Sequence, residues 1–224
     1  MRPFDSQKKE YGFMACCSTS GFGRADLLAV LFTCLLLFCL VGVLFVWGSK
    51  RTHSKLSCYN NLMQIGVAEK LFELDHGFAP WGSSTNHEGT FEYSASPEQT
   101  FRLFQIQSNC LNALILLICP QDTRQQAASW ESLANTNVSY FVGIDSKSDL
   151  PTSILGGDRN ITPLSNVILK ANESAPLNWI KSVGLHGDKG HLIFGDGHVE
   201  ELDSPGLDNA IQRTGIATNR FAIP

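Results

Sequence analysis

The stretch "LLAVLFTCLLLFCLVGVLFVW", Leu27 to Trp47, followed by "LSCYNNLMQIGVAEKLFELDHG" at residues 56 to 77, decides how the chain is built. The first piece is 21 residues long and carries no charge. As a helix it spans ~31 Å, the depth of a hydrocarbon core of roughly 30 Å. Its eight Leu, three Phe and four Val favour insertion by at most about 5 to 9 kcal/mol. A secretory signal has a shorter apolar region followed by small residues at a cleavage site, and "WGSKRTHSK" offers none. A retained single membrane span is therefore expected.

Beyond it, Leu56, Tyr59, Met63, Val67, Leu71 and Leu74 recur at steps of three and four, one face of a helix. Gly77 in "DHG" is placed to end that helix in a left-handed cap. Only Gly48 interrupts the segment between Trp47 and Leu56, and no proline does, so the two pieces are expected to form one helix, half in lipid and half on a domain. The rest changes texture: "FAPWGSSTNHEGT" is turn-rich, "ILLICP" stops at Pro120, "VSYFVGID" and "ILGGDRNI" read as strands, and a short helix follows "DSPG" at Leu207 to Arg213. The expected class is α+β, with the long N-terminal helix on one face of a small, mostly antiparallel sheet.

With 224 residues and 43% hydrophobic content the chain can build a core beside the span. A net charge of -4, with no Lys/Arg run longer than two, offers nothing to neutralise a row of phosphates, so nucleic acid is not an expected partner. Orientation is not decided by charge: Arg2, Lys8, Lys9 and Arg24 precede the span, and Lys50, Arg51 and Lys55 follow it. The seven cysteines include no CxxC, which removes the usual zinc and redox motifs. Cys16 and Cys17 precede the span, Cys34 and Cys39 lie in it, and Cys58, Cys110 and Cys119 follow. In an oxidising compartment two of the last three would pair, Cys58 with Cys119 first and Cys110 as the rival.

"GLHGDKGHLIFGDGHVEEL", residues 184 to 202, concentrates three of the six histidines. Asp196-Gly197 between two β-like runs reads as a type I′ hairpin turn, with Leu192, Phe194 and Val199 as strand residues and His191 and His198 on polar faces. An enzyme reading would take His186, Asp188, His191, Asp196 and His198 as a metal or acid-base cluster, but no HExxH, GxSxG or phosphate loop accompanies it, so no catalysis is expected. Asp158 in "GGDRN" would pair with Arg159 or a turn amide. Asp188, Asp196 and Asp203 are oxygen donors for a structural calcium; no other cofactor is expected.

Directly before the span stands "SGFGRADLLAV", in which Asp26 is an acid at the lip of a long apolar helix. Moving it into lipid costs up to ~3 kcal/mol, so a partner is expected. Gly21, Phe22 and Asp26 resemble the leader motif of the type IV pilin-like proteins, or pseudopilins, in which a prepilin peptidase cuts after the glycine and methylates the new N-terminus. Asp stands where that family usually has Glu, and "GRA" replaces the common "TLI". "CYNNLMQIGVAEKLFELDHG", "FQIQSNCLNALILLICPQDTR", "NVSYFVGID", "ILGGDRNI" and "NRFAIP" are similar to the pseudopilin-like proteins of the Planctomycetes and Verrucomicrobia group. His186, nine residues, then Asp196-Gly197 matches that group's processing-associated signature.

The resemblance covers residues 21 to 224 and implies a pilin-like fold. It implies a cytoplasmic leader at 1–21, a transmembrane helix at 22–49, its soluble continuation at 50–77 and a periplasmic globular domain at 78–224. It also implies a structural subunit of a type II secretion pseudopilus or type IV pilus-like filament in the inner membrane. Its partners would be the prepilin peptidase, other pilin-like subunits and membrane lipid, and Asp26 would neutralise the freed amine of a neighbouring subunit. The alternative is an unprocessed membrane-anchored binding protein with inverted topology, which would use the sequons at Asn137, Asn160 and Asn172.

Overall fold

The structure, a computed structural model, describes residues 23–162, 167–170, 177–181 and 185–224. Cys16, Cys17, Gly21, Phe22 and the sequon at Asn172 lie outside these residues. The chain divides into two units, Met1–Gly48 and Ser49–Pro224. Helix α1 is continuous in secondary structure from Arg24 to His76, 53 residues.

In the first unit, Arg24–Leu44 is a helix long and apolar enough to cross a membrane, as an anchor or a signal sequence would be, with mean hydropathy 3.0. Its one hydroxyl residue, Thr33, donates to the carbonyls of Ala29 and Val30 at 3.0 and 2.9 Å. The polar group is thereby satisfied inside the helix itself.

The second unit is built on an antiparallel six-stranded sheet in the order β3-β6-β1-β2-β4-β5. Its strands are β1 (Tyr140–Gly143), β2 (Ile154–Asp158), β3 (Val167–Lys170), β4 (Lys189–Phe194), β5 (Val199–Asp203) and β6 (Thr218–Ala222). Alternation along the strands sends side chains to two separate cores. Tyr140, Val142 and Ile193 pack with Cys58, Leu62 and Ile65 of α1. Phe141, Leu192, Phe194 and Phe221 pack instead with Leu207 and Ala210 of the second-face helix. The sheet is thus covered on both faces, whereas the sequence had suggested one.

Between α1 and β1 the chain makes only short helical turns and α2 (Phe101–Gln105). It nevertheless buries Leu103, Phe104, Leu111 and Leu117 in the α1-side core. The second-face helix, α3 (Ser204–Arg213), starts where Asp203 accepts the Gly206 N–H at 2.9 Å, with Pro205 in the first turn.

The packed face of α1 is not the one its large apolar residues suggest. Cys58, Leu62, Ile65, Ala68 and Phe72 are buried, whereas Leu56, Val67 and Leu74 are 56%, 59% and 75% exposed, and Met63 and Leu71 are exposed too. One reason is fit: a Cβ on Gly66 would lie 2.2 Å from Ile193 Cδ1, so the Ile193 side chain fills the space that a larger residue on this face of α1 would need. Of the predicted stripe only Tyr59 packs partly on the core.

The hairpin turn is also corrected. Gly197 has φ +87°, but Asp196 does not share the positive φ that a type I′ turn requires. The loop is closed by Gly197 N–H to Phe194 O at 2.8 Å and Phe194 N–H to His198 O at 3.0 Å. Asp196 instead turns its carboxylate back to accept the His198 N–H at 3.1 Å.

Candidate functional site

Two places in the molecule carry more chemistry than folding requires. The first is the surface of α1. At its head, Asp26 Oδ2 accepts the Gly23 N–H at 3.0 Å, so the carboxylate faces the start of its own helix. In the second unit, Met63, Val67, Leu71 and Leu74 line one wall of an open groove of about 230 Å³, and the Gly195-Asp196-Gly197 loop lines another. His198 beside it stacks on Phe194, with ring centroids 4.5 Å apart, and pairs with Asp196 and Glu200.

The second place is buried on the α1 side of the sheet. Cys58 of α1 and Cys119 form a disulfide with Cα atoms 5.1 Å apart, and Cys110 is a free thiol. Cys119 Sγ lies 3.4 Å from His186 Nε2, which is itself 3.5 Å from Asp158 Oδ2. The same oxygen accepts from the His191 N–H at 2.7 Å and lies 3.0 Å from His191 Nδ1. Register explains the convergence: Asp158 closes β2 opposite Tyr140, and Gly157 pairs with Leu192, which sets His191 beside Asp158. Gly157 has no room for a side chain, because a Cβ would meet His191 O at 2.5 Å. Asn61 of α1 reaches the Tyr140 hydroxyl at 3.4 Å. Burial, and then the Asp158 charge, push the Tyr140 phenol well above its usual range, so it stays neutral.

This arrangement overturns two expectations. His191 is buried rather than on a polar face, and Asp158, expected to pair with Arg159 or a turn amide, takes the backbone amide of His191 in β4 instead. Arg159 forks onto Asp122 instead, Nε to Oδ2 at 2.8 Å and Nη2 to Oδ1 at 2.7 Å, while Ser139 Oγ donates to Oδ2 at 2.8 Å. Burial alone would raise the Asp122 carboxyl, but these bonds and the Arg159 charge outweigh it and hold the group below its usual range. Arg124 donates to the carbonyls of Asn135, Val138 and Pro224. Its guanidinium is pushed down to about 10, by burial first and by Arg159 second. Asp122, Arg124 and Tyr140 were missed as site residues because Asp122 and Arg124 sit in an irregular segment and Tyr140 in β1, and their partner Arg159 and neighbour Asp158 come from the end of β2 and the residue after it.

The remaining expected site residues are dispersed. His186 packs on His191 and Asp158, whereas Asp196 lies beyond the far end of β4 in the hairpin loop. Asp188 pairs with Lys181 at 3.4 Å, Asp203 caps α3, and Asp196 serves the hairpin, so the three calcium candidates do not converge. Of the five residues of the enzyme reading, His186 meets His191 in the interior and Asp196 meets His198 at the exposed hairpin, while Asp188 pairs with Lys181, so they form no single cluster. No protein-family model, curated protein or solved structure matches the chain.

Proposed function

We propose that the chain is a structural subunit of a pilus-like filament or type II secretion pseudopilus, stored in the inner membrane by the span and processed by a prepilin peptidase between Gly21 and Phe22. The observation that carries this reading is Asp26, the one carboxylate in the span, standing directly before the uncharged run that starts at Leu27 and preceded by Gly21-Phe22. In lipid such a charge requires a counter-charge. Cleavage supplies one, an amine at Phe22, four residues from the carboxylate and equally present on every neighbouring subunit.

The surface of α1 supports the same reading. Leu56, Met63, Val67, Leu71 and Leu74 stay exposed along one helix face. A continuous apolar row with a groove beside it is what a subunit buries on assembly. Leader and sheet domain would lie on opposite sides of the membrane, the domain in the periplasm, where the Cys58–Cys119 disulfide persists.

Asp26→Asn separates assembly from simple helix capping, because the amide oxygen can still accept the Gly23 N–H but carries no charge. The variant should insert and be processed as the wild type is, yet its recovery in sheared filaments or in subunit cross-links should fall by at least about tenfold, as loss of about 1.4 kcal/mol or more would give. Undiminished incorporation would remove the assembly role of Asp26.

A further inference from the structure

Three metal-ligating side chains from separate parts of the fold meet at one buried point. Asp158 ends β2, His191 lies within β4, and His186 precedes that strand. Asp158 Oδ2 is 3.0 Å from His191 Nδ1 and 3.5 Å from His186 Nε2, and the three ligand atoms lie within 4.8 Å of one another. A tetrahedral ion with bonds of about 2.0–2.1 Å holds its donors about 3.3 Å apart. The Asp158 oxygen therefore already stands at close to coordination spacing from both imidazole nitrogens.

Charge points the same way. The Asp158 side chain is wholly buried, and its Oδ1 has no hydrogen-bond partner among the described residues. The adjacent guanidinium, Arg159, is committed to Asp122. Among the described residues, Asp158 Oδ2 meets one amide and two imidazoles, and the neutral Tyr140 phenol stands nearby, which is little counter-charge for a carboxylate in the protein interior.

We propose that Asp158, His186 and His191 bind one divalent transition metal of the zinc class, which cross-links β2 to β4 and to the segment preceding it. Two imidazoles and a carboxylate suit zinc and its neighbours, whereas calcium and magnesium prefer sets of six or more oxygens. The three side chains are 0%, 0% and 4% exposed, so the site is closed and its role is structural rather than catalytic. Cys119 Sγ is adjacent but held in the disulfide, which denies the ion a thiolate. Asp158 Oδ1 can join only by chelation beside Oδ2, which gives four donors in a site distorted from a regular tetrahedron. The site does not depend on how the chain assembles or whether its leader is cut.

The test uses the full chain in detergent, disulfide intact, stripped with a chelator and titrated with Co(II). It should take up about one ion per chain with a tetrahedral d–d spectrum and no thiolate-to-cobalt charge-transfer band. Zn(II) should displace the ion and raise Tm, and Ca(II) should do neither. Asp158→Asn and His191→Gln should weaken binding by more than the roughly 10–100-fold that loss of an outer partner costs. His87→Ala with His198→Ala, both exposed, should leave it unchanged. The proposal is overturned if the wild-type chain takes up no ion, if the spectrum shows thiolate ligation, or if removing the two exposed histidines abolishes uptake. These three outcomes need no core variant to fold.

Discussion

Glu69 lies on the packed face of α1, buried, with Oε2 lacking a partner among the described residues. Burial first, and then the nearby Glu73, hold its carboxyl well above the usual range. The folded chain therefore binds a proton there that the unfolded chain releases near pH 4.3, so stability from this group is complete below about pH 4.3 and is lost as pH rises through the raised value. Glu69→Gln should remove the loss, so its stabilising effect grows as pH rises above about 4.3 and levels off once the raised value is passed. Urea unfolding of both chains between pH 4.5 and 8 checks this; a difference that does not grow with pH contradicts it. Asp122 has the opposite sign. Its lowered carboxyl stabilises above the usual aspartate range, and that stability disappears as pH falls through the folded value.

At the scale of elements, α1 meets the sheet through its smallest residue on that face. Gly66→Val should overpack against Ile193 and destabilise by about 1–3 kcal/mol, measured by denaturant midpoint; a neutral result would mean that the Ile193 side chain swings aside to make room. At the hairpin, a branched side chain at φ +87° is strained, so Gly197→Val should cost about 1–3 kcal/mol, while His198→Ala, half exposed, should stay near 0.5 kcal/mol or less. The reverse ranking would restore a functional role to the His198 side chain. The same elements show what was legible in the sequence. Strands at "YFVG", "ILGGD" and "HLIF" were legible from apolar runs bounded by Gly, Asp and Pro, and the helix at "DSPG" was legible too, though it starts at Ser204 rather than at Leu207 because Asp203 caps it. The packed face of α1 did not, because the large apolar residues form one stripe and the small, close-fitting ones another, and periodicity scores both alike. His191 was misplaced for a related reason: a polar residue in a strand reads as solvent-facing until a buried carboxylate from another strand is known to meet it.

For the whole molecule, the long apolar helix with a small antiparallel sheet domain was readable from two sequence textures. The convergence of Cys119, His186, Asp158 and His191 was not, because it requires contacts across 67 and 33 residues of chain. The disulfide from Cys58 to Cys119 closes a loop of 61 residues, and in the chain-entropy view stabilises by about 4 kcal/mol. It fastens α1 to the same core that holds the buried cluster. What remains exposed is the apolar row of α1 and the acid at its head, and the proposed function assigns both to contacts between subunits. That assignment begins with one covalent event. Mass spectrometry of the N-terminus of protein extracted from membranes that contain a prepilin peptidase tests it most directly. The predicted result is a mature chain beginning at N-methylated Phe22; an intact chain still beginning at Met1 would contradict it.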